Sequence, residues 1–265
     1  MRFTSLFSGS SGNCTYVGSD NTHILVDAGC NRKRVEEGLG SIGLTLGDIG
    51  AIFVTHEHID HIAAIRTIVK KYHIPVYGTR GTLEGIRKID PKNEIPDYLY
   101  NTVTADIPVV VGDMTINPMR ISHDAAEPCG YRVCCGDKKV GIATDLGCYD
   151  DYTVSSLSGC DALLLEANHD VRMLQTGPYP YYLKSRILGD KGHLSNEKSG
   201  ELLCKLLNDR IKGVFLGHLS HENNLPELAY ETVRVEVDMG DVPFSSGDFK
   251  LMVARRNEVS NVLEF

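Results

Sequence analysis

Three histidines and an aspartate stand within six positions in His56-Glu57-His58-Ile59-Asp60-His61. They follow directly on Ala51–Thr55, a run with the apolar character of a buried strand. Imidazole and carboxylate together suit zinc, manganese or iron. The bland alternative is a charged helix N-terminus that happens to be rich in histidine. A loop rather than a helix is expected to carry the segment, so that His56 and His58 point to one metal while Asp60 and His61 reach another. Further ligand-type residues close other strand-like runs: His123 after Met119-Arg120-Ile121-Ser122, Asp145 after Gly141-Ile142-Ala143-Thr144, and His218 after Val214-Phe215-Leu216-Gly217. Side chains at corresponding ends of several strands converge on one rim, where open α/β sheets place their sites. One such residue is usually structural; several in register argue for a centre.

Around this segment the chain alternates strands and helices. Short strands are expected at Phe3–Phe7, Thr15–Gly18 and Ile24–Asp27, with Ser8-Gly9-Ser10-Ser11-Gly12-Asn13 turning between the first two. Helices are expected near Arg32–Leu39, from His61 to Tyr72 and near Thr82–Ile89, with a short strand at Pro75–Tyr77. Then Val109–Val111, Met114–Ile121, Tyr131–Cys135 and Lys139–Ala143 read as a meander with Gly136-Asp137 as a hairpin turn. Ala162–Glu166 and Val214–Gly217 are buried strands. Ser195 suits a helix N-cap ahead of Leu202, Leu203, Leu206 and Leu207 on one face. A helix around Pro226–Val235 and a strand at Lys250–Ala254 close the chain. Two strand-then-helix halves without repeat or linker predict one domain over residues 1–265, of α/β (α+β) class: an αββα four-layer sandwich with two mixed sheets flanked by helices.

The formal net charge of −8 argues against a generally basic surface that coats nucleic acid. It leaves a nuclease open, because bound divalent ions supply local positive charge. No apolar run approaches the roughly 20 residues that span a bilayer, and Met1-Arg2 leads straight into a strand without a secretory signal. The eight cysteines form no CxxC pair, and Cys30, Cys160 and Cys204 sit among apolar residues. Free thiols, a cytoplasmic location and no membrane partner are the expectation.

His56-x-His58-x-Asp60-His61 resembles the HxHxDH hallmark of the metallo-β-lactamase superfamily, and the resemblance runs the length of the chain. Asp27, in Leu25-Val26-Asp27-Ala28-Gly29, matches the aspartate that stabilises the metal loop in that family. A closer resemblance is to the YycJ/WalJ group of bacterial exonuclease-like proteins. It rests on Ser8-Gly9-Ser10-Ser11-Gly12-Asn13-Cys14, Glu166-Ala167-Asn168-His169-Asp170, Gly192-His193-Leu194-Ser195-Asn196 and Gly217-His218-Leu219-Ser220. The last two segments are also similar to tRNase Z. The resemblance implies two divalent ions (zinc, manganese or iron): one on His56, His58 and His123, the other on Asp60, His61 and His218, with Asp145 bridging. It places Asp60, His193 and Asp27 in the catalytic set, with His193 donating a proton to the leaving oxygen or clamping the phosphate. Two divalent ions against Asp60, Asp145 and a bridging hydroxide leave a net positive inner shell, suited to a phosphate.

Ser8, Ser10, Ser11 and Asn13 offer hydroxyls and backbone N–H groups to an anion; a tight hairpin turn explains the segment equally well. His169 can touch substrate or supplement metal binding, and is otherwise structural. His221 is a weaker candidate; His23 and His73 read as structural or surface residues. Tyr179, Tyr181, Tyr182, Lys184 and Arg186 could combine base stacking with phosphate contacts, although a packed tyrosine-rich segment is the commoner explanation. The leading expectation is a binuclear metal-dependent phosphodiesterase using a metal-bridging hydroxide, with nucleic acid as its partner; the resemblance to the YycJ/WalJ group implies a 5′-end-directed DNA exonuclease. A small-molecule phosphodiesterase, a thioester hydrolase of the glyoxalase II kind and a non-catalytic metal-binding regulator remain alternatives. A flavodiiron-type redox role is disfavoured, because His58 stands where that chemistry offers a glutamate.

Overall fold

The structure is a computed structural model that describes residues 1–265. Its first half runs β1 (Arg2–Phe7), β2 (Cys14–Gly18), β3 (His23–Val26), α1 (Arg32–Ser41), β4 (Ala51–Phe53), α2 (Ile59–Ile62), α3 (Ile65–Tyr72), β5 (Val76–Gly78), α4 (Arg80–Lys88) and β6 (Tyr100–Thr102). The second half opens with the meander β7 (Val109–Val111), β8 (Met114–Arg120), β9 (Cys129–Cys135) and β10 (Lys138–Ala143). It continues through α5 (Asp151–Leu157), β11 (Ala162–Glu166), α6 (Val171–Thr176), α7 (Tyr181–Leu188), α8 (Asn196–Leu206), β12 (Gly213–Gly217), α9 (Pro226–Met239), β13 (Lys250–Val253) and β14 (Leu263–Glu264).

Two seven-stranded sheets result, ordered β14-β1-β2-β3-β4-β5-β6 and β13-β12-β11-β10-β9-β8-β7. Both are mixed. β3 to β6 run parallel while β1, β2 and β14 are antiparallel to their neighbours; β10 to β13 run parallel, and the meander is antiparallel. Phe3, Phe53 and Val26 of the first sheet meet Tyr131, Leu164 and Phe215 of the second in a dry central core. Val35, Ile65, Ile68 and Ile86 pack helices onto the outer face of the first sheet. Leu202, Leu203, Leu206, Ala229 and Val233 do the same on the second. Burial on both faces explains why these strands are short continuous apolar runs rather than alternating ones. The expected αββα sandwich is the fold.

The hairpin turn is as expected: Cys135 pairs with Lys138 across Gly136-Asp137, and Gly136 has φ of 57°. Ser195 caps α8, its hydroxyl accepting from the Lys198 N–H. All eight cysteines are free, and burial pushes the Cys129 and Cys160 thiols up to about 12. No helix is long and apolar enough to cross a membrane.

Three expectations need correction. The helix read from His61 to Tyr72 is two helices, α2 and α3. The Asp60 carbonyl accepts from the Asn13 N–H (2.8 Å) and the Ala64 N–H donates to the Ala28 carbonyl (2.9 Å), so the bond that would continue the helix is replaced by contacts to two other loops. For the same reason the metal-type motif is not wholly a loop: His56 and His58 lie in one, but Asp60 and His61 sit on α2. The segment around Tyr179–Arg186 is not packed either. Tyr181 and Tyr182 on α7 are 85% and 73% exposed.

Candidate metal centre

The rim is built from strand ends whose backbone turns abruptly. Asp27 follows β3, Asp145 follows β10 and His218 follows β12, and all three have left-handed φ, between 55° and 64°. Such values are uncommon for residues with a Cβ and cluster where function fixes the backbone. Here the turn swings each side chain off its strand and over the sheet edge. Gly29 completes the floor: a Cβ there would stand 1.6 Å from the Asp60 carbonyl oxygen, so only glycine lets the β3 loop lie against the metal-type motif.

Nine ligand-type side chains crowd the rim: besides a further group of Asp145, Glu166, His193 and His218, seven make the two expected groups. In one, His56 Nε2 and His58 Nδ1 are 3.0 Å apart, and His123 Nε2 is 3.4 Å from the same His58 nitrogen. In the other, His218 Nε2 lies 3.4 Å and His61 Nε2 3.6 Å from Asp60 Oδ2. Asp145 stands between them: Oδ2 is 3.1 Å from His61 Nε2, and Oδ1 is 3.7 Å from His123 Nε2 and 3.4 Å from His218 Nδ1. Donor nitrogens facing one another suit a shared cation, since two nitrogens held about 2.0–2.1 Å from one tetrahedral ion stand roughly 3.3 Å apart. The buried Asp145 Oδ2 has no hydrogen-bond donor, an orphaned acceptor that a cation satisfies. These residues therefore fit the divalent ions that the fold implies.

The outward nitrogens are held in turn. Thr55 Oγ1 lies 3.0 Å from His56 Nδ1, Asp27 Oδ2 2.8 Å from His61 Nδ1, the Gly192 carbonyl 3.1 Å from His123 Nδ1, and Glu166 Oε1 3.0 Å from His218 Nδ1. Such partners fix the tautomer and aim the inner nitrogen. Asp27 also accepts from Thr55 N–H and Oγ1, at 2.8 and 2.9 Å. Its contacts are thus with His61 and Thr55 of the motif segment. Electrostatics follow the geometry. Burial opposes charge on His61, but Asp145 and Asp27 hold its imidazole well above the usual range. Burial likewise opposes the Asp145 anion, yet His218 and His61 hold its carboxyl well below.

The remaining expected residues divide. Ser8 is buried, and its hydroxyl accepts from the His218 N–H at 2.7 Å. Asn13 accepts from the Gly9 N–H at 2.8 Å and brings its amide nitrogen within 3.4 Å of Asp60 Oδ2. Both therefore brace the rim, while Ser10 and Ser11 are exposed beside it. His193 reaches the centre, its Nδ1 3.6 Å from Asp145 Oδ1. His169 does not join the donor groups. His221 lies outside them, exposed and paired with Glu222.

Glu166 carries more than its sequence suggested. Fully buried, it takes His193 Nδ1 (2.7 Å) and His218 Nδ1 on Oε1, and the N–H groups of Leu146 (2.6 Å) and Leu194 (3.2 Å) on Oε2. Burial opposes its charge, but His193 holds the carboxyl well below the usual range. The available signal was a lone glutamate ending the wholly apolar run of β11. Arg186 was also underread: it grips Asp124, next to His123, through both carboxylate oxygens.

Two mixed sheets with metal-type side chains on one rim define the metallo-β-lactamase fold, and the chain belongs to that superfamily: the family model described as the beta-lactamase superfamily domain matches residues 22–215. It is thereby a metal-dependent hydrolase acting on ester bonds. Among curated proteins it is 37% identical to exodeoxyribonuclease YycJ of Bacillus anthracis, over 88% of either chain. It is 36% identical to exodeoxyribonuclease WalJ of Streptococcus pneumoniae, over 95% of this chain and 93% of the relative. Among solved structures, the metallo-beta-lactamase fold protein YhfI from Bacillus subtilis superposes with a TM-score of 0.71 at 18% identity, over 98% of each chain. The short form of human tRNase Z does so with a TM-score of 0.66 at 16% identity, over all of both chains. At such identities these structures speak for the fold alone.

Proposed function

We propose that residues 1–265 form one domain that hydrolyses phosphodiester bonds in DNA from the 5′ end, in the cytoplasm, with two divalent ions per chain. The observation that carries the reading is the pair of donor groups joined by Asp145 with His193 beside them, together with the likeness to two exodeoxyribonucleases over most of the chain. Two ions held there would supply positive charge to a phosphoryl oxygen and bring the pKa of a water toward about 7. His56, His58 and His123 would hold one ion and Asp60, His61 and His218 the other, with Asp145 available to both.

The chain's own groups do the rest. Glu166 fixes His193 through Nδ1, which leaves Nε2 to face the substrate and pass a proton to the leaving oxygen. Glu166 and Asp27 accept from Nδ1 of His218 and His61 and so turn the other ring nitrogen, Nε2, toward the site. Tyr181 and Tyr182 stand in solvent on α7, which also grips the centre's edge through Arg186 and Asp124, and they offer a face on which the bases of a strand can stack. That exposed pair favours a nucleic acid over a small phosphodiester. Ser10 and Ser11 are the hydroxyls open to a terminal phosphate.

Metal-reconstituted protein should be given the same DNA strand with a 5′-phosphate and with a 5′-hydroxyl, alongside RNA, a chromogenic phosphodiester and a thioester. Faster loss of nucleotides from the 5′-phosphorylated strand is expected. Equal rates on both ends, or turnover of the thioester alone, would remove the reading.

A further inference from the structure

A cavity of about 510 Å³ opens beside the metal centre and is walled by His193, His169, Tyr149, Cys148, Leu188 and Lys198. Its volume falls within the range of about 300–1,000 Å³ that holds small ligands. His169 lies in that wall, 1% exposed, and neither ring nitrogen has a hydrogen-bond partner. Buried polar groups in folded proteins are nearly always paired, so an imidazole with two orphaned nitrogens calls for a partner that is not part of the chain. The backbone fixes it firmly: the His169 carbonyl accepts from the Asn196 N–H at 2.9 Å, and the residue bridges Ser195 in parallel register. The main chain is thus held at the cavity wall, and burial confines the ring there. Confined and unpaired, the ring is suited to reading a ligand.

Resting on the phosphodiesterase reading above, we infer that this cavity receives the base of the terminal nucleotide and that His169 hydrogen-bonds its edge. The argument runs through His193, which belongs both to the centre and to the cavity wall. If His193 protonates the leaving oxygen, the leaving nucleotide lies on the His193 side, and the space on that side is this cavity. Water oxygen joins phosphorus and gives up one proton to the solvent, and the P–O bond to the nucleotide in the cavity breaks. The His193 proton goes to that oxygen, which leaves as a hydroxyl, and the phosphate stays on the remaining strand. A neutral imidazole offers one N–H donor and one acceptor nitrogen, and the Watson–Crick edge of every nucleobase carries both a donor and an acceptor, so whichever ring nitrogen faces the base finds a complement. Burial lowers the His169 pKa to about 4, so the ring is neutral throughout the working range of such an enzyme. Tyr149 and Leu188 supply apolar surface for the ring faces. Room for one nucleotide fits removal of single nucleotides from an end.

The metal-loaded full chain should be assayed on a short DNA strand, on the same strand with an abasic terminal nucleotide, and on bis(p-nitrophenyl) phosphate. The wild type should cleave the normal end at least about tenfold more efficiently than the abasic end, the scale of one good hydrogen bond. In His169→Leu that preference should collapse, through KM, and the loss on DNA should exceed the loss on bis(p-nitrophenyl) phosphate by a similar factor. His169→Gln, which keeps a donor and an acceptor, should recover part of the preference. Equal use of normal and abasic ends by the wild type overturns the inference, as does an equal loss on all substrates in both variants. If the protein turns over bis(p-nitrophenyl) phosphate but no DNA, the nuclease reading has failed and inhibition of that turnover judges the cavity separately. Deoxynucleoside monophosphates should then inhibit wild type more strongly than deoxyribose 5-phosphate, with the difference lost in His169→Leu. No such difference overturns it.

Discussion

Glu166 Oε1 lies 2.7 Å from His193 Nδ1, and the same oxygen lies 3.0 Å from His218 Nδ1. One buried carboxylate thus orients both a proposed proton donor and a proposed metal ligand. His193→Ala should keep the fold and the metal content yet lose about 10²–10⁴-fold in DNA cleavage, the usual worth of a general acid. The loss should shrink for p-nitrophenyl esters, whose leaving group needs little protonation. Glu166→Gln should lose activity and also weaken metal retention, because it alters His218 as well. Steady-state rates on both substrates with parallel elemental analysis read this out. Loss of a metal in His193→Ala would make His193 a ligand instead.

Asp27 is buried and tied to Thr55 and to His61 Nδ1. Asp27→Asn should therefore act through the metal. Affinity should fall about 10–100-fold, as for other partners of ligating histidines. Competition with a chromogenic chelator measures it. Unchanged affinity with lost activity would move Asp27 into the chemistry itself.

The metal-type residues were legible because their chemistry has few other uses: His56, His58, Asp60 and His61 crowd one strand end, and His123, Asp145 and His218 each end another. Of the supports, Asp27 was matched to a loop-stabilising aspartate, but Glu166 was not. Glu166 reads in sequence as one more strand terminus, and only the fold brings it to two histidines from distant segments. The break between α2 and α3 was invisible because it depends on Asn13 and Ala28 capturing backbone groups from other loops. Helices α5, α6 and α7, of seven, six and eight residues, are too short for a clear amphipathic period. Hence the exposure of Tyr181 and Tyr182 had no sequence signature.

Those tyrosines give a third expectation. Base stacking on an aromatic side chain contributes about 1–3 kcal/mol per base. The double variant Tyr181→Ala/Tyr182→Ala should raise KM for single-stranded DNA by roughly tenfold or more relative to its KM for bis(p-nitrophenyl) phosphate. A parallel change in both constants would place α7 outside the strand's path.

The central claim is a two-ion centre that cleaves DNA, and titration of metal-free protein tests it most directly. Manganese or zinc should be added stepwise to chelator-stripped protein while bound metal and DNA hydrolysis are followed together, with Asp145→Ala as control. Activity should be absent without metal and reach its plateau at two ions per chain, and Asp145→Ala should neither hold both ions nor recover. Full activity in the stripped protein, or a plateau at a single ion, would contradict the account.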